Sequence, residues 1–180
     1  KPIMDEIRYI EGLQVDASIK RYYPQHHLAS QVIGYVDQNN LGQFGIESEF
    51  NTELQGTKGR VAFNRTASGK LRRAMTVDQP LISKGNNIEL TLDIELQSIL
   101  QSELKKSVIR TNAKTANGII LDPHTGEILA MATYPDFDPN EFQKFPIEFY
   151  KNRTIADAYE PGSTFKIINT AAALESGVIA

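Results

Sequence analysis

Cysteine is absent from this chain of 180 residues, which excludes disulfide bonds and cysteine nucleophiles. No apolar run approaches the ~18 residues that a membrane span needs, and no signal-peptide pattern opens the sequence. A net charge of −3 with an isoelectric point near 5.7 gives no support for nucleic-acid binding. What is present is an ordinary globular composition, 41% hydrophobic and 23% charged, that can form one moderate core or two small ones.

A polar stretch at Lys84-Gly85-Asn86-Asn87 divides the chain into residues 1–85 and 86–180. The first part reads as β-rich, with a strand near Tyr9–Asp16, a β-hairpin around residues 67–70 and one helix. That helix is predicted over Gly45–Gln55, where apolar residues recur every four positions and Gly56 provides a stop. Its three glutamates, Glu47, Glu49 and Glu53, are predicted to form the solvated face.

The second part begins a mixed α/β layer, so the chain is predicted to be α+β as a whole. A short strand is expected at Ile88–Leu92, followed by a helix that Asp93 caps and that runs to about Ile109. Apolar strands at Ala116–Asp122 and Glu127–Thr133 flank a Pro-His-Thr-Gly turn. The stretch 136–153 reads as a surface loop with a short helix.

The sequence Tyr-Glu-Pro-Gly-Ser-Thr-Phe-Lys at residues 159–166 carries the main chemical signal. Ser163 and Lys166 are one helical turn apart, so the lysine amine can reach the serine hydroxyl. Serine needs a base to become a good nucleophile, and lysine serves as one when its charge is disfavoured. Backbone N–H groups at the start of a helix could also stabilise an oxyanion. The alternative reading of Ser163 is a helix N-cap.

A second Ser-x-x-Lys sequence, at Ser102 and Lys105, indicates how weak the spacing is by itself. It lies within the predicted amphipathic helix, and Ser102 is on the side opposite the apolar stripe. We interpret this second Ser-x-x-Lys sequence as part of the solvated face of the helix. His26 and His27 lack a further ligand at the spacing of a zinc site, so no metal is predicted.

The motifs around Ser163 occur in an order that resembles the class B penicillin-binding proteins. The ordered motifs are Leu90–Gln97, Gly118–Ala132, Phe137–Asn140, Asn152-Arg153 and the run ending at Lys166, preceded by Arg21–Pro24, Gly34–Val36 and Gly45–Glu47. The resemblance implies a β-rich pedestal domain at residues 1–85. It also implies the N-terminal portion of a transpeptidase domain, an α/β sandwich like that of serine β-lactamases, at residues 86–180.

The resemblance further implies a peptidoglycan D,D-transpeptidase with Ser163 as nucleophile and Lys166 as base, needing no metal or organic cofactor. Its partners would be peptidoglycan stem peptides, β-lactam antibiotics and, through the pedestal, other cell-wall synthesis and division proteins. The whole protein would be anchored in the cytoplasmic membrane, with its catalytic part in the periplasm or extracytoplasmic space. The sequence Tyr-Glu-Pro-Gly favours the division subgroup over the elongation subgroup.

The signature set of this family also includes Ser-x-Asn and Lys-Thr-Gly motifs, and neither follows Lys166. We therefore expect a truncated chain that lacks its membrane anchor and is inactive by itself. The hairpin at residues 116–133 would then keep an unpaired edge, which favours a dimer. Two other functions stay open: a non-catalytic scaffold of the cell-wall machinery, and a β-lactam sensor or β-lactamase.

Overall fold

The computed structural model describes residues 20–56, the backbone of 63–65 and 71–73, and residues 84–179. The chain forms two compact units, one of Lys1–Leu90 with Asp136–Pro146 and the other of Thr91–Pro135 with Ile147–Ala180. Both helices and antiparallel strands occur, as the α+β prediction requires. The predicted domain boundary after residue 85 stays a prediction, as does the strand near Tyr9, which lies outside the described residues.

The described part of the first unit combines short helices with a two-stranded hairpin. The helices are α1, Ser30–Ile33, α2, Gly45–Glu49, and α3, Asn51–Gln55; the strands are β1, Phe63–Arg65, and β2, Leu71–Arg73. β1 and β2 pair antiparallel, which confirms the predicted hairpin. The helix predicted over residues 45–55 is instead two helices, because Phe50 leaves the helical conformation (φ −105°, ψ 29°). Gly56 ends α3 with a positive φ of 63°, as predicted.

Glu47 of α2 is buried and paired, so its predicted place on the solvated face is wrong. Its carboxylate receives two bonds from the Arg21 guanidinium, Nε to Oε1 at 2.9 Å and Nη2 to Oε2 at 3.1 Å. The Tyr23 hydroxyl also hydrogen-bonds Glu47 and accepts from the Val36 N–H at 3.0 Å. Burial, followed by the negative charge of Glu47, raises the pKa of Tyr23. A planar guanidinium matches a carboxylate in two places, and this geometry offsets the cost of burying the charge.

The stretch Asp136–Pro146 is part of the first unit's core, whereas the sequence suggested a surface loop. Phe137 is fully buried, and Asp138 caps a 3-10 helix, Pro139–Lys144. The other carboxylate oxygen of Asp138 lies 2.7 Å from His26 Nδ1. Burial opposes ionisation of Asp138, but its hydrogen bonds from His26 and Asn140 outweigh burial and lower its pKa. Hydrogen bonds and packing thus tie this stretch to residues far away in the sequence.

We expect Glu47→Ala to lower the free energy of unfolding of the first unit by about 2–4 kcal/mol. The substitution leaves the Arg21 guanidinium and the Tyr23 hydroxyl without their carboxylate partner. Glu49→Ala on the same helix is the matched control, because Glu49 is exposed and its loss should change stability by less than ~0.5 kcal/mol. Urea unfolding followed by circular dichroism measures both, and equal effects would contradict the assignment.

The second unit is built on helix α4, Ile94–Thr111, and the predicted N-cap is confirmed. The Asp93 carboxylate accepts from the Leu96 N–H at 2.8 Å. The apolar stripe of this helix is predicted to consist of Leu96, Ile99, Leu100, Leu104 and Val108. Four of these residues are partly buried, but Ile99 is 59% exposed and does not belong to the stripe. The strand predicted at Ile88–Leu92 does not form. The contact that this segment makes with β4 is through a side chain, since the Thr91 hydroxyl donates to the Ile128 carbonyl at 2.7 Å.

Two antiparallel strands, β3, Ala116–Leu121, and β4, Ile128–Tyr134, pack against α4 and confirm the predicted hairpin. Gly126 closes the turn with a φ of 77°, which glycine adopts without strain. Gly118 has a different role, because a Cβ at this position would lie 3.0 Å from the Leu100 side chain. The absence of a side chain there lets α4 approach the sheet. Ile119 and Leu121 of β3 are 43% and 55% exposed.

Gln97 of α4 binds the backbone of β4 with both ends of its side-chain amide. Its Oε1 accepts from the Met131 N–H and its Nε2 donates to the Met131 carbonyl, each at 2.9 Å. Two residues along β4, the Leu129 carbonyl accepts from the Asp93 N–H at 2.8 Å. These groups occupy the edge of β4 that faces away from β3, so a helix side chain and a cap residue substitute for a neighbouring strand.

We expect Gln97→Ala to destabilise the second unit by about 2–4 kcal/mol, because it leaves two buried backbone groups of Met131 without partners. Ser98→Ala is the control, since Ser98 is exposed one position further along α4 and alanine is the better helix former. Hydrogen exchange of the Met131 amide should accelerate in the first variant alone. Unchanged protection of this amide in Gln97→Ala would contradict the role given to the two hydrogen bonds between Gln97 and Met131.

Candidate active site

Ser163 lies in a turn of 3-10 helix, Gly162–Phe165, that continues directly into helix α6, Lys166–Glu175. Pro161 restricts the backbone before the turn, and Gly162 takes a left-handed φ of 54°. Beyond the turn, the sequence Ile-Ile-Asn-Thr-Ala-Ala-Ala-Leu-Glu supports an α-helix. The helix predicted to start after Pro-Gly is therefore confirmed, although its first turn is of the tighter 3-10 type.

The geometry of this turn places Ser163 and Lys166 one above the other. The Lys166 N–H donates to the carbonyls of Ser163 and Thr164, and side chains three positions apart in a 3-10 turn eclipse. Both side chains are exposed, and the structure of residues 84–179 records no hydrogen bond between the hydroxyl and the amine. Ser163 and Lys166 therefore lie three positions apart at the start of one helix, and their hydroxyl and amine are not in direct contact.

Two backbone N–H groups near Ser163, those of Thr164 and Lys166, are already used within the turn and are not free to bind an oxyanion. The Thr164 N–H donates to the Pro161 carbonyl at 3.2 Å, and the Lys166 N–H is bonded as described above. The Thr164 hydroxyl donates to the same Pro161 carbonyl. Neither the 3-10 turn nor α6 has a side-chain cap, so Ser163 does not act as one here. A 3-10 turn closes its hydrogen bonds one residue earlier than an α-helix and so consumes these donors.

The second Ser-x-x-Lys pair is on the outer side of α4, as predicted. Ser102 and Lys105 are both exposed, and Glu103 between them pairs with Lys106 at 2.7 Å. Ser163 and Lys166 are exposed as well, so exposure does not distinguish the two pairs. They differ in their local structure, because Ser102 lies within α4 and Ser163 lies in a 3-10 turn that follows Pro161.

The chain reaches Ser163 through a short helix, α5, Arg153–Ala156, that contacts both β3 and β4. Asn152 caps α5 by accepting from the Thr154 N–H at 3.2 Å, and its Nδ2 lies 3.2 Å from the Met131 sulfur. After α5, the Asp157 carboxylate accepts from Lys151 and, at 2.9 Å, from Arg153. These hydrogen bonds, from Lys151 first and then Arg153, lower the pKa of Asp157.

Sequence reasoning noticed Asn152 and Arg153 as a motif but did not identify Asp157. The available signal was the opposite charge of Arg153 and Asp157 four positions apart, the spacing at which helical side chains meet. From Ala158 to Ala172 every residue is exposed. α6 presents several large apolar side chains to solvent, among them Ile167 at 75% exposure and Ile168 at 59%.

The described residues contain no cluster of three histidine, cysteine or carboxylate side chains suited to a metal ion. His26 and His27 contact Asp138 and Asp136, at 2.7 Å and 3.2 Å. His124 is exposed at the tip of the turn between β3 and β4. Across the described ranges, every helix is too short or too polar to span a membrane.

Two protein-family models match this chain. The Penicillin-binding Protein dimerisation domain matches residues 1–90, which is half of the chain, and the Penicillin binding protein transpeptidase domain matches residues 117–180. The second match contains the 3-10 turn with Ser163 and Lys166.

Similar sequences include proteins named peptidoglycan D,D-transpeptidase FtsI homolog from Chlorokybus atmophyticus, 38% identical over 170 residues, and peptidoglycan D,D-transpeptidase FtsI from Escherichia coli K12, 31% identical over 170 residues. Stage V sporulation protein D from Bacillus subtilis is 35% identical over 167 residues. These alignments cover 92–94% of this chain but only 25–29% of each relative. The chain therefore spans little more than a quarter of the length of these relatives.

Solved structures with the same fold include penicillin-binding protein 2X from Streptococcus thermophilus, with a TM-score of 0.70 and 26% identity. The alignment covers 89% of this chain and 25% of that protein. Penicillin-binding protein 3 from Mycobacterium tuberculosis, solved in complex with ampicillin, has a TM-score of 0.70 and 28% identity, covering 87% of this chain and 31% of that protein. Both similarities extend over the two compact units.

Proposed function

Because this chain belongs to the class B penicillin-binding proteins, we propose that it is part of a serine-type D,D-transpeptidase that cross-links peptidoglycan. The observation that carries the proposal is the 3-10 turn in which Ser163 lies three positions before Lys166, inside the region matched by the transpeptidase domain model. Relatives along 94% of the chain are named peptidoglycan D,D-transpeptidases, and two of those described above carry the name FtsI. We include the division subgroup in the proposal on the strength of these names.

In the proposed reaction, the Ser163 Oγ attacks the carbonyl carbon of the penultimate D-alanine in a stem peptide, and Lys166 accepts the hydroxyl proton. The bond to the terminal D-alanine breaks, and the proton passes to the nitrogen of the leaving amino acid. An amine on a neighbouring stem peptide then attacks the serine ester, which forms the cross-link and returns a proton to Ser163. Covalent catalysis thereby divides one difficult exchange into two steps.

Lys166 can take the proton only in its neutral form, which burial or a nearby positive charge would favour. Since both Ser163 and Lys166 are exposed in this chain, the proposal requires other parts of the whole protein to cover them. We place the Ser-x-Asn and Lys-Thr-Gly motifs of the family in those parts. On this proposal, the 180 residues supply the nucleophile and the base, and catalysis belongs to the whole protein.

The same serine is proposed to react with β-lactam antibiotics, because their strained ring presents an amide carbonyl to Ser163 in place of the stem peptide. The M. tuberculosis relative solved with ampicillin supports this choice of ligand.

We also propose that the whole protein is anchored in the cytoplasmic membrane with its catalytic part outside, where peptidoglycan is assembled. The first unit would bind other cell-wall synthesis and division proteins.

We expect Ser163→Ala to abolish covalent labelling of the whole protein by a fluorescent penicillin, because the acyl group has no other activated hydroxyl to occupy. Ser102→Ala is the matched control and should label as the wild type does, since Ser102 lies on the solvated side of α4. Gel fluorescence over a time course measures both. Equal loss of labelling in the two variants, or persistent labelling of Ser163→Ala, would contradict the assignment.

A non-catalytic scaffold is the second candidate, favoured by the match of half of the chain to a dimerisation domain. It differs from the transpeptidase in a measurable way, because partner binding without penicillin labelling of a folded wild-type protein would support the scaffold. A β-lactamase would be labelled and then deacylate rapidly, whereas a transpeptidase keeps the penicilloyl group for much longer. The dimerisation-domain match argues against the β-lactamase.

We further propose that the 180-residue chain by itself dimerises through exposed apolar surface of its second unit. Ile119 and Leu121 on β3 and Ile167 on α6 are all at least 43% exposed, and such surface tends to associate. Sedimentation velocity should give a concentration-dependent dimer, and Leu121→Lys with Ile167→Lys should shift it to monomer. A monomer at all concentrations, with the β3 amides fully protected from exchange, would contradict this.

A further inference from the structure

The structure points to Asp157 as the residue that positions Ser163, and we propose that its ion pairs with Lys151 and Arg153 set the rate of acylation. This inference rests on the proposed serine acyl transfer and adds a positioning residue to it. Asp157 is not expected to touch the substrate; it acts through the segment that leads to the serine.

Helix α5 is held on the sheet of the second unit. α5 contacts both β3 and β4, and Asn152 at its start connects the helix cap to Met131 of β4. Met131 is in turn held by the two hydrogen bonds from Gln97. A continuous series of contacts therefore leads from α4 through β4 to the beginning of α5.

At the end of α5, ion pairs hold Asp157 to two residues near the start of the same helix. Lys151 and Arg153 donate to different oxygens of the Asp157 carboxylate, Oδ1 and Oδ2. The side chains of Arg153 and Asp157 are only 24% and 33% exposed. Two cations on one carboxylate restrain the direction in which the chain leaves α5 more than a single ion pair would.

Among the described residues, Asp157 is the last one before Ser163 whose side chain is held by ion pairs. Every residue from Ala158 to Ala172 is exposed, and the side-chain hydrogen bond recorded for the described turn at Ser163, from Thr164 to Pro161, is local. Five residues lie between Asp157 and Ser163, so a change in the direction of the chain at Asp157 is expected to move the Ser163 hydroxyl. Displacements of about 1 Å at a reacting group can reduce rates strongly.

The test is the saturation kinetics of benzylpenicillin acylation of the whole protein. Asp157→Asn keeps the shape of the side chain and removes its charge, and we expect the acylation rate constant to fall about two- to five-fold, which lies within the range by which exposed ion pairs shift equilibria. The dissociation constant of the non-covalent complex and the melting temperature should stay unchanged. Asp157→Glu keeps the charge and should restore at least half of the wild-type rate.

A double variant removes the same ion pairs by changing the two basic partners of Asp157. Lys151→Gln with Arg153→Gln should slow acylation as much as Asp157→Asn does, and combining all three substitutions should slow it no further, because they remove one shared interaction. Glu103→Gln is the matched control: it removes an exposed ion pair with Lys106 on α4 and should leave the rate unchanged.

Asp157→Asn that acylates at the wild-type rate would overturn the inference and leave the proposed function intact. The same holds if Asp157→Glu is as slow as Asp157→Asn, since charge would then not be the cause, or if the triple variant shows additive losses. Absence of acylation in the folded wild-type protein would overturn the proposed function, and this inference with it.

Discussion

The second unit depends on the side-chain amide of Gln97, which binds the N–H and the carbonyl of Met131 as a neighbouring strand would. Without it, β4 would have an open edge against a helix that offers no backbone groups of its own. The two Gln97 hydrogen bonds fix the position of β4 on α4. The Met131 sulfur contacts Asn152, which caps the short helix that leads to Ser163. One buried amide thus holds, through Met131 and Asn152, the start of the segment that leads to the candidate nucleophile.

The first unit relies on a comparable buried polar network, formed by Arg21, Tyr23 and Glu47. In both units a few polar side chains satisfy each other or the backbone inside a small core. Small cores bury little apolar surface, so specific hydrogen bonds contribute a larger share of their organisation. The stretch 136–146 adds Phe137 and Asp138 to the first unit although it lies between two elements of the second unit in the sequence.

Local signals predicted the structure well where neighbouring residues decide it. The Asp93 cap, the turn at residues 123–126, the hairpins and the break at Pro161-Gly162 follow from capping and turn preferences that act over a few positions. The motif order also identified the family. Sequence reasoning failed where residues distant in the sequence decide the structure. The position of Glu47 on its helix predicts a solvated side chain, and only the contact with Arg21 explains its burial. Gln97 gives no periodic signal, because its partner is the backbone of Met131. The Asp157 ion pairs were overlooked although their spacing was visible.

The central claim is that Ser163, and no other serine, becomes acylated in the whole protein. Trypsin cleaves after Lys84, Lys105, Arg153 and Lys166, so Ser102 and Ser163 fall in separate peptides, residues 85–105 and 154–166. Tandem mass spectrometry of the penicillin-treated whole protein can therefore locate the adduct. The account predicts a penicilloyl group on Ser163 in peptide 154–166 and an unmodified peptide 85–105. An adduct on any other residue, or none on a folded protein, would contradict it.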